Sequence, residues 1–309
     1  MNDSFMTEKG QIAIFGGTGL IGSAVGRALC SNGESVLVFA RNIEKARMAV
    51  PGASFRKLGV QENLADDLAE ARMVVNFSGS PIFGRNLSEA EESRIDLVKN
   101  IVDAMSRQSR PPSVFVNGSA SGYYGYDNPP ETDLKEEMQP GKDYWGNLVA
   151  RWEREANKAS SFGTRVVNVR TSVVLSTEGG ALKQIYPIFR RYMGGYVKPG
   201  TQWFSWIHID DEVKLVLEAL SNSSYTGSIN AASPNPARIR EFTDILGKVM
   251  KRPSSIPIPS FLIRLKFGRG ADLIFRGGKV SASKLLNIGF SFKFPDLMPA
   301  LSDVIRRRV

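Results

Sequence analysis

With one cysteine, Cys30, and one histidine, His208, in 309 residues, the chain cannot build a disulfide framework or a zinc site of the common types. No metal is expected. No run approaches the ~18 consecutive apolar residues of a membrane span. Residues 1–10 are polar and lack the apolar stretch of a secretory signal. There is no internal repeat and no low-complexity segment. These absences predict a soluble protein, expected in the cytoplasm, with a processed organelle precursor as the open alternative.

Hydrophobic residues make up 42% of the chain and charged residues 23%, the balance of a folded globular protein. The net charge of +9 is unevenly placed: residues 231–309 hold 15 Lys+Arg against 5 Asp+Glu, and the remainder 25 against 26. The basic excess ends in Arg306-Arg307-Arg308. It is read either as a solvated surface or as a field that attracts an anionic ligand or partner. No zinc finger, RNA-recognition signature or aromatic–basic alternation accompanies it, so nucleic acid is not the expected partner.

The first two thirds alternate strands and helices. Apolar strands are expected at Gln11–Phe15, Ser35–Ala40, Ala53–Leu58 (weaker), Arg72–Phe77, Ser113–Asn117 and Arg165–Arg170, with helices from Leu20 through Leu29 (ended by Asn32-Gly33), about Ser88–Ser106 and about Tyr144–Ser160. Buried strands separated by helices imply a parallel sheet covered on both faces, and right-handed crossovers make it doubly wound. Beyond about Gly179 the pattern becomes irregular. A helix over Asp211–Leu220 and a strand at Ser228–Ala231 follow, then two or three helices. The expected fold is a Rossmann-type α/β domain over 11–230 and a small, mainly helical, basic domain over 231–309 that completes the substrate side.

The firmest local signal is Gly16-Gly17-Thr18-Gly19-Leu20-Ile21-Gly22, between the first strand and the first helix. Three spaced glycines alone are weak evidence; the strand before and the helix after give them weight. Glycines there permit the tight turn, the approach of backbone to pyrophosphate and close helix–strand packing, and the helix N-terminus favours phosphate charge. Two registers are open, Gly17-Gly19-Gly22 and Gly16-Gly19-Gly22. At the end of the second strand, where NAD-selective folds place an acid, this chain has Ala40-Arg41-Asn42, with Lys45 one turn further on. A guanidinium pairs with a 2′-phosphate and offers no acceptor to a bare ribose, so NADP(H) is expected over NAD.

The combination resembles the extended short-chain dehydrogenase/reductase superfamily, also called the NAD-dependent epimerase/dehydratase family, whose G-x-x-G-x-x-G pattern selects Gly16, Gly19 and Gly22. The Asn76-Phe77-Ser78-Gly79 segment is similar to its cofactor-contacting strand end. Gly118-Ser119-Ala120-Ser121-Gly122-Tyr123-Tyr124-Gly125, followed by Glu131, is similar to its serine-rich strand end. More narrowly, that segment, Arg151-Trp152-Glu153, Arg170–Leu175 and Trp206–Asp211 resemble an atypical branch, the YfcH-type epimerase-family proteins. Gly277-Gly278-Lys279, Gly289-Phe290 and Phe294–Leu297 resemble that branch's small C-terminal domain.

The resemblance implies hydride chemistry with a tyrosine acid/base, a lysine four residues later and a serine or threonine on the substrate oxygen. The candidate tyrosine is Tyr144, but four residues later stands Leu148, and Lys142 precedes it. Four residues after Tyr123 and Tyr124 stand Asp127 and Asn128. Counting back from Tyr124-Gly125 puts Ala120 at the serine position, with Ser119 and Ser121 beside it. Ser119, Ser121 and Tyr144 are therefore the catalytic candidates. Gly16, Gly17, Thr18, Gly19, Leu20, Ile21, Gly22, Arg41, Ser78 and Gly79 are the cofactor candidates.

Among the other residues, His208 is expected to be structural, with Asp210 capping the helix that follows. Trp203, Phe204 and Trp206 are read as core or cleft wall, and Cys30 as helix packing. Arg170 is read either as an anion-binding group or as the partner of a carboxylate. The expected function is an atypical short-chain oxidoreductase or epimerase-like protein that binds NADP(H) and acts on a small molecule. A regulatory or scaffold protein that binds NADP(H) without turnover is the alternative.

Overall fold

The apolar runs line up as one parallel sheet. A computed structural model describes residues 10–58, 64–79, 87–259, 261 and 277–308. Its strands β1 (Gln11–Phe15), β2 (Val36–Ala40), β3 (Ser54–Lys57), β4 (Ala71–Asn76), β5 (Val114–Ala120), β6 (Arg165–Thr171) and β7 (Gly227–Ala231) lie in the order β3-β2-β1-β4-β5-β6-β7. Every neighbouring pair is parallel. This is the doubly wound arrangement expected from the alternation. The polar start of the chain up to residue 9, and the Ser80-Pro81 pair, lie outside the described residues.

Alternate residues of β1 supply two cores. Ile12 and Ile14 pack with Val25 and Leu29 of α1 (Leu20–Ser31) and, further along, with Leu215 and Val216. Ala13 and Phe15 face the other way, towards Val98 and Ile101 of α4 (Leu87–Ser106) and towards Trp152 and Ala156 of α5 (Tyr144–Asn157). The smaller helices α2 (Ile43–Ala49) and α3 (Leu64–Asp67) fill the crossovers around β3.

Beyond shifts of one or two residues, three features differ from expectation. Strand β5 runs on to Ala120, because Gly118, Ser119 and Ala120 continue the pairing with Val169, Arg170 and Thr171. Helix α5 ends at Asn157 and tightens into a 3-10 turn at Lys158–Phe162. The stretch beyond Gly179 is not irregular throughout: α6 (Gly180–Arg190) buries Leu182 and Phe189. Its period is hidden in the sequence by Pro187 and by the flanking glycine pairs.

Past α7 (Ile209–Ser221), the helices α8 (Ile239–Met250), α9 (Ser283–Asn287) and α10 (Leu297–Arg306) follow among the described residues. Leu246 and Leu301 share a third core with Phe204, Trp206 and Phe242. Trp206 and Phe204 are thus core residues, whereas Trp203 stays part-exposed and stacks on Arg238 at 3.5 Å. Cys30 packs against the first core, as expected for a helix-packing residue.

The segment His208–Asp211 fastens this C-terminal part to the sheet. Here the sequence expectation needs correcting: the cap of α7 is His208, not Asp210. His208 Nδ1 accepts the Asp210 N–H at 3.0 Å. With Nδ1 an acceptor, the proton sits on Nε2, which lies 3.2 Å from Asp303 Oδ2. Burial, more than any neighbouring charge, lowers the His208 pKa to about 4, so the ring is neutral at physiological pH. Asp210 instead pairs with Arg307 and Lys293, and Asp211 accepts the backbone N–H groups of Lys293 and Phe294. Part of the C-terminal basic excess is therefore spent inside the molecule.

Candidate functional site

The carboxyl ends of β2, β1, β4 and β5 are adjacent in the sheet, so the segments singled out in the sequence meet along one edge. Gly16 has φ +83° and lies so near β4 that a Cβ there would come 2.5 Å from the Phe77 carbonyl carbon. A Cβ on Gly22 would fall inside van der Waals contact of the Gly16 carbonyl. Gly19 N–H donates to Gly16 O at 2.9 Å, and Gly19 caps α1 with no side-chain bond of its own. The first-turn N–H groups of α1 are thus not covered by a capping side chain. Leu20 reaches the Gly179–Gly180 turn, Ile21 packs on the first core, and Thr18 is part-exposed between them.

Two further features suit this cradle to a dinucleotide. The Ser78 hydroxyl is buried without a hydrogen-bond partner among the described residues. Arg41, at the end of β2, is exposed beside Asn42, which caps α2 by accepting the Lys45 N–H at 2.9 Å. Arg94, which sequence reasoning passed over, lies against Gly79, close enough that a Cβ there would meet its Nε at 2.5 Å.

A chain of asparagines sets the β4 end in place. Asn76, Asn117 and Asn168 stand side by side on β4, β5 and β6. Asn76 Nδ2 donates to Asn117 Oδ1 at 3.0 Å, and Asn117 Nδ2 donates to Asn168 Oδ1 at 3.0 Å. The free Asn76 Oδ1 accepts the Ser78 N–H, also at 3.0 Å. The turn carrying Ser78 and Gly79 is therefore fixed by amides buried in the sheet.

The serine candidates part company. Ser119 is buried and donates to Glu153 Oε1 at 2.6 Å. Ser121 is part-exposed and opens a 3-10 turn, Ser121–Tyr124, whose Gly122 packs on Trp145 and Val149 of α5. Tyr144 is the first residue of that helix, half-buried and edge-on to Trp145. Its cap, Asp143, accepts the N–H groups of Gly146 at 2.9 Å and Tyr126 at 2.8 Å. Ser121 and Tyr144 thus sit on two pieces that pack together. Leu148, at the lysine position, is only 6% exposed and faces the core.

Below the serines lies a buried polar network that the sequence did not reveal. Arg170 grips Glu153 with two bonds of 2.8 and 2.9 Å and donates to the Tyr124 hydroxyl at 3.1 Å. The carboxylate is the partner, which settles the alternative left open for Arg170. The Tyr124 hydroxyl donates in turn to Asn230 Oδ1 at 2.6 Å. Burial pushes the Tyr124 phenol well above its ordinary pKa, against the opposing pull of Arg170, so it holds its proton at neutral pH. Burial acts to lower the Arg170 pKa, but the hydrogen bonds and charge of Glu153 carry it above the ordinary arginine value. One signal was available: Glu153 falls on the stripe of α5 formed by Trp145, Leu148, Val149, Trp152 and Ala156, where an acid needs a buried partner.

Glu212, at the start of α7, is a second buried acid. It accepts the Thr171 hydroxyl at 2.7 Å, and burial raises its pKa to about 8. The folded state then holds a proton that the unfolded chain releases above the ordinary glutamate pKa of 4.5. Stability from this group is full below that value and is lost as pH rises through the folded pKa. Glu212→Gln should therefore gain in melting temperature over the wild type progressively between about pH 5 and pH 8; a gap that stays constant with pH would contradict the assignment.

A cavity of about 1260 Å³ opens beside the serine turn. Its wall includes Gly125, Tyr126, Leu134, Trp203, Arg238 and Lys279. Through the Tyr126–Asp143 bond this wall is tied to the start of α5. The space is ample for a small-molecule ligand.

Residues 12–232 match the NAD dependent epimerase/dehydratase family, and residues 258–304 match a domain of unknown function, DUF1731. The chain is 36% identical over 304 residues to the Arabidopsis thaliana epimerase family protein SDR39U1 homolog, chloroplastic, covering 96% of this chain and 86% of that one. The Staphylococcus haemolyticus epimerase family protein SH2119 is 33% identical over 303 residues, covering 96% and 99%. The crystal structure of human epimerase family protein SDR39U1 (isoform 2) with NADPH aligns with a TM-score of 0.84 at 28% identity, covering 96% and 99%. Among the described residues, no helix is long and apolar enough to cross a membrane.

Proposed function

The chain belongs to the NAD dependent epimerase/dehydratase family, and we propose that it binds NADP(H) and acts on a small molecule held in the cavity bordered by Gly125 and Tyr126, which follow the Ser121–Tyr124 turn. The observation that carries this reading is the cradle at Gly16 and Gly22, with the unpartnered Ser78 hydroxyl beside it. The α1 N-terminus and Gly17, Thr18 and Gly19 would hold the pyrophosphate, and Gly79 with Arg94 would border it. Arg41 would take the 2′-phosphate. That the human relative was crystallised with NADPH agrees with this choice. Residues 11–230 would form the dinucleotide side and residues 231–309 would complete the substrate side.

When bound, the dinucleotide supplies hydride exchange with a substrate carbon. The chain's own part would be to orient the substrate oxygen by Ser121 and to hold a proton at the Tyr144 hydroxyl. Ser119, engaged by Glu153, would act on that oxygen only if its hydroxyl turned. At the position of the family's lysine stands Leu148, a neutral side chain. Buried Leu148 accordingly favours a second reading, in which the protein binds NADP(H) as a regulatory or scaffold element.

Titration separates these claims. NADPH should bind more tightly than NADH, and Arg41→Ala should remove about ten-fold to a hundred-fold of NADPH affinity, the range of one charge-assisted contact. Equal affinities for the two dinucleotides would end the NADP(H) assignment. If the site is catalytic, NADPH oxidation with some member of a carbonyl panel should be slowed by Tyr144→Phe. The scaffold reading fails on specific turnover, and the Tyr144 role fails if the substitution changes nothing.

A further inference from the structure

We propose that the face formed by the end of α6, the strand pair Gly195–Val197 and Ile256–Ile258, and the end of α8 binds the surface of an anionic lipid bilayer. Two stretches of the chain, 179–209 and 245–259, contain no Asp or Glu but hold Lys183, Arg190, Arg191, Lys198, Lys248, Lys251 and Arg252. Parallel pairing of Gly195 with Ile256 and of Val197 with Ile258 brings the two stretches side by side.

Large apolar side chains stand out of this same face. Tyr192 is 60% exposed, Met193 51% and Ile256 48%. Arg252 stacks on the Tyr192 ring at 4.4 Å, so cation and aromatic tip are presented together. The acids of α8 are Glu241, in its first turn, and Asp244, which is half-buried and accepts the Ser254 hydroxyl at 3.0 Å.

Exposed apolar residues in such number need a partner, and the charges choose among partners. A second copy docked through the same face would set one cluster of cations against another, so self-association is opposed. Projecting tips ringed by lysine and arginine fit a headgroup layer, where the tips enter the interface and the cations meet anionic lipid. Met193 and Tyr192, at the end of a helix, need no matching pocket there. This surface is separate from the dinucleotide cradle, and the proposal does not depend on how that cradle is read.

Vesicle co-sedimentation of the full chain tests it, using phosphatidylcholine alone and phosphatidylcholine with about one third phosphatidylglycerol. The expected result is pelleting with the anionic vesicles only, weakened by salt and reduced about ten-fold or more by Arg190→Glu with Arg191→Glu. Tyr192→Ser with Met193→Ser should leave the initial salt-sensitive attraction but abolish the fraction retained at high salt. All four positions are exposed, and unchanged thermal melts would confirm that the variants fold. Absence of pelleting with anionic vesicles overturns the proposal, as does equal pelleting with neutral ones. Binding to soluble polyglutamate in place of vesicles would also overturn it, pointing instead to an acidic protein partner.

Discussion

Replacing Gly22 by alanine is expected to weaken NADPH binding about a hundred-fold, the equivalent of losing two charge-assisted backbone hydrogen bonds. The methyl group would press on the Gly16 carbonyl, which is backbone and cannot swing aside. The turn must open or α1 must slide away from β1, and either movement takes the first-turn N–H groups off the phosphate position. Gly33→Ala is the matched control. Gly33 also has a positive φ, +81°, but no neighbour lies within 4 Å of its added carbon. It should lower the folding stability through backbone strain by about 1–2 kcal/mol, read as a drop in melting temperature, and leave the dissociation constant alone. Fluorescence titration of both variants decides the matter: an unaltered constant in Gly22→Ala would mean that the cradle is not the cofactor site.

The largest loss of stability is expected at Arg170. In Arg170→Met the Glu153 carboxylate keeps its bonds from the Ser119 and Ser228 hydroxyls but loses its only described cation. Stranding one member of a buried pair costs about 3–5 kcal/mol. Burial of the pair is close to complete, with the two side chains 3% and 5% exposed, so solvent screening offers little relief. Adding Glu153→Gln should recover much of the loss, because the remaining amide is neutral and still bonds to both serines. Urea unfolding of the two single variants and the double variant gives the coupling. A single-variant loss under about 1 kcal/mol would show the pair to be better solvated than its geometry implies.

Local sequence signals located the sheet well and the site unevenly. Strands β1 and β2 are short apolar runs, and β4 and β6 hold apolar residues on both faces around their asparagines, as buried parallel strands require. The glycine turn was legible because its chemistry is local: one strand, one turn and one helix contain it. The network under Ser119 was not, because Glu153, Arg170, Tyr124 and Asn230 come from four elements and meet only through the sheet order. The helix α6 was hidden by a proline and glycines that tertiary packing overrides. At His208, acids at the helix start suggested Asp210 as the cap, but the pull of Arg307 and Lys293, both far along the chain, drew that carboxylate outward.

The asparagine row across β4, β5 and β6 bears on how the chain reaches its fold. These strands are apolar enough that a pairing slipped by two residues would bury nearly the same hydrocarbon and keep the same faces. Only one alignment sets three amides opposite one another. Any other leaves amide donors and acceptors sealed in hydrocarbon, each at about 1–3 kcal/mol. The row thus works as a checksum on assembly: it adds little to the depth of the native state and raises the energy of its closest misaligned rivals.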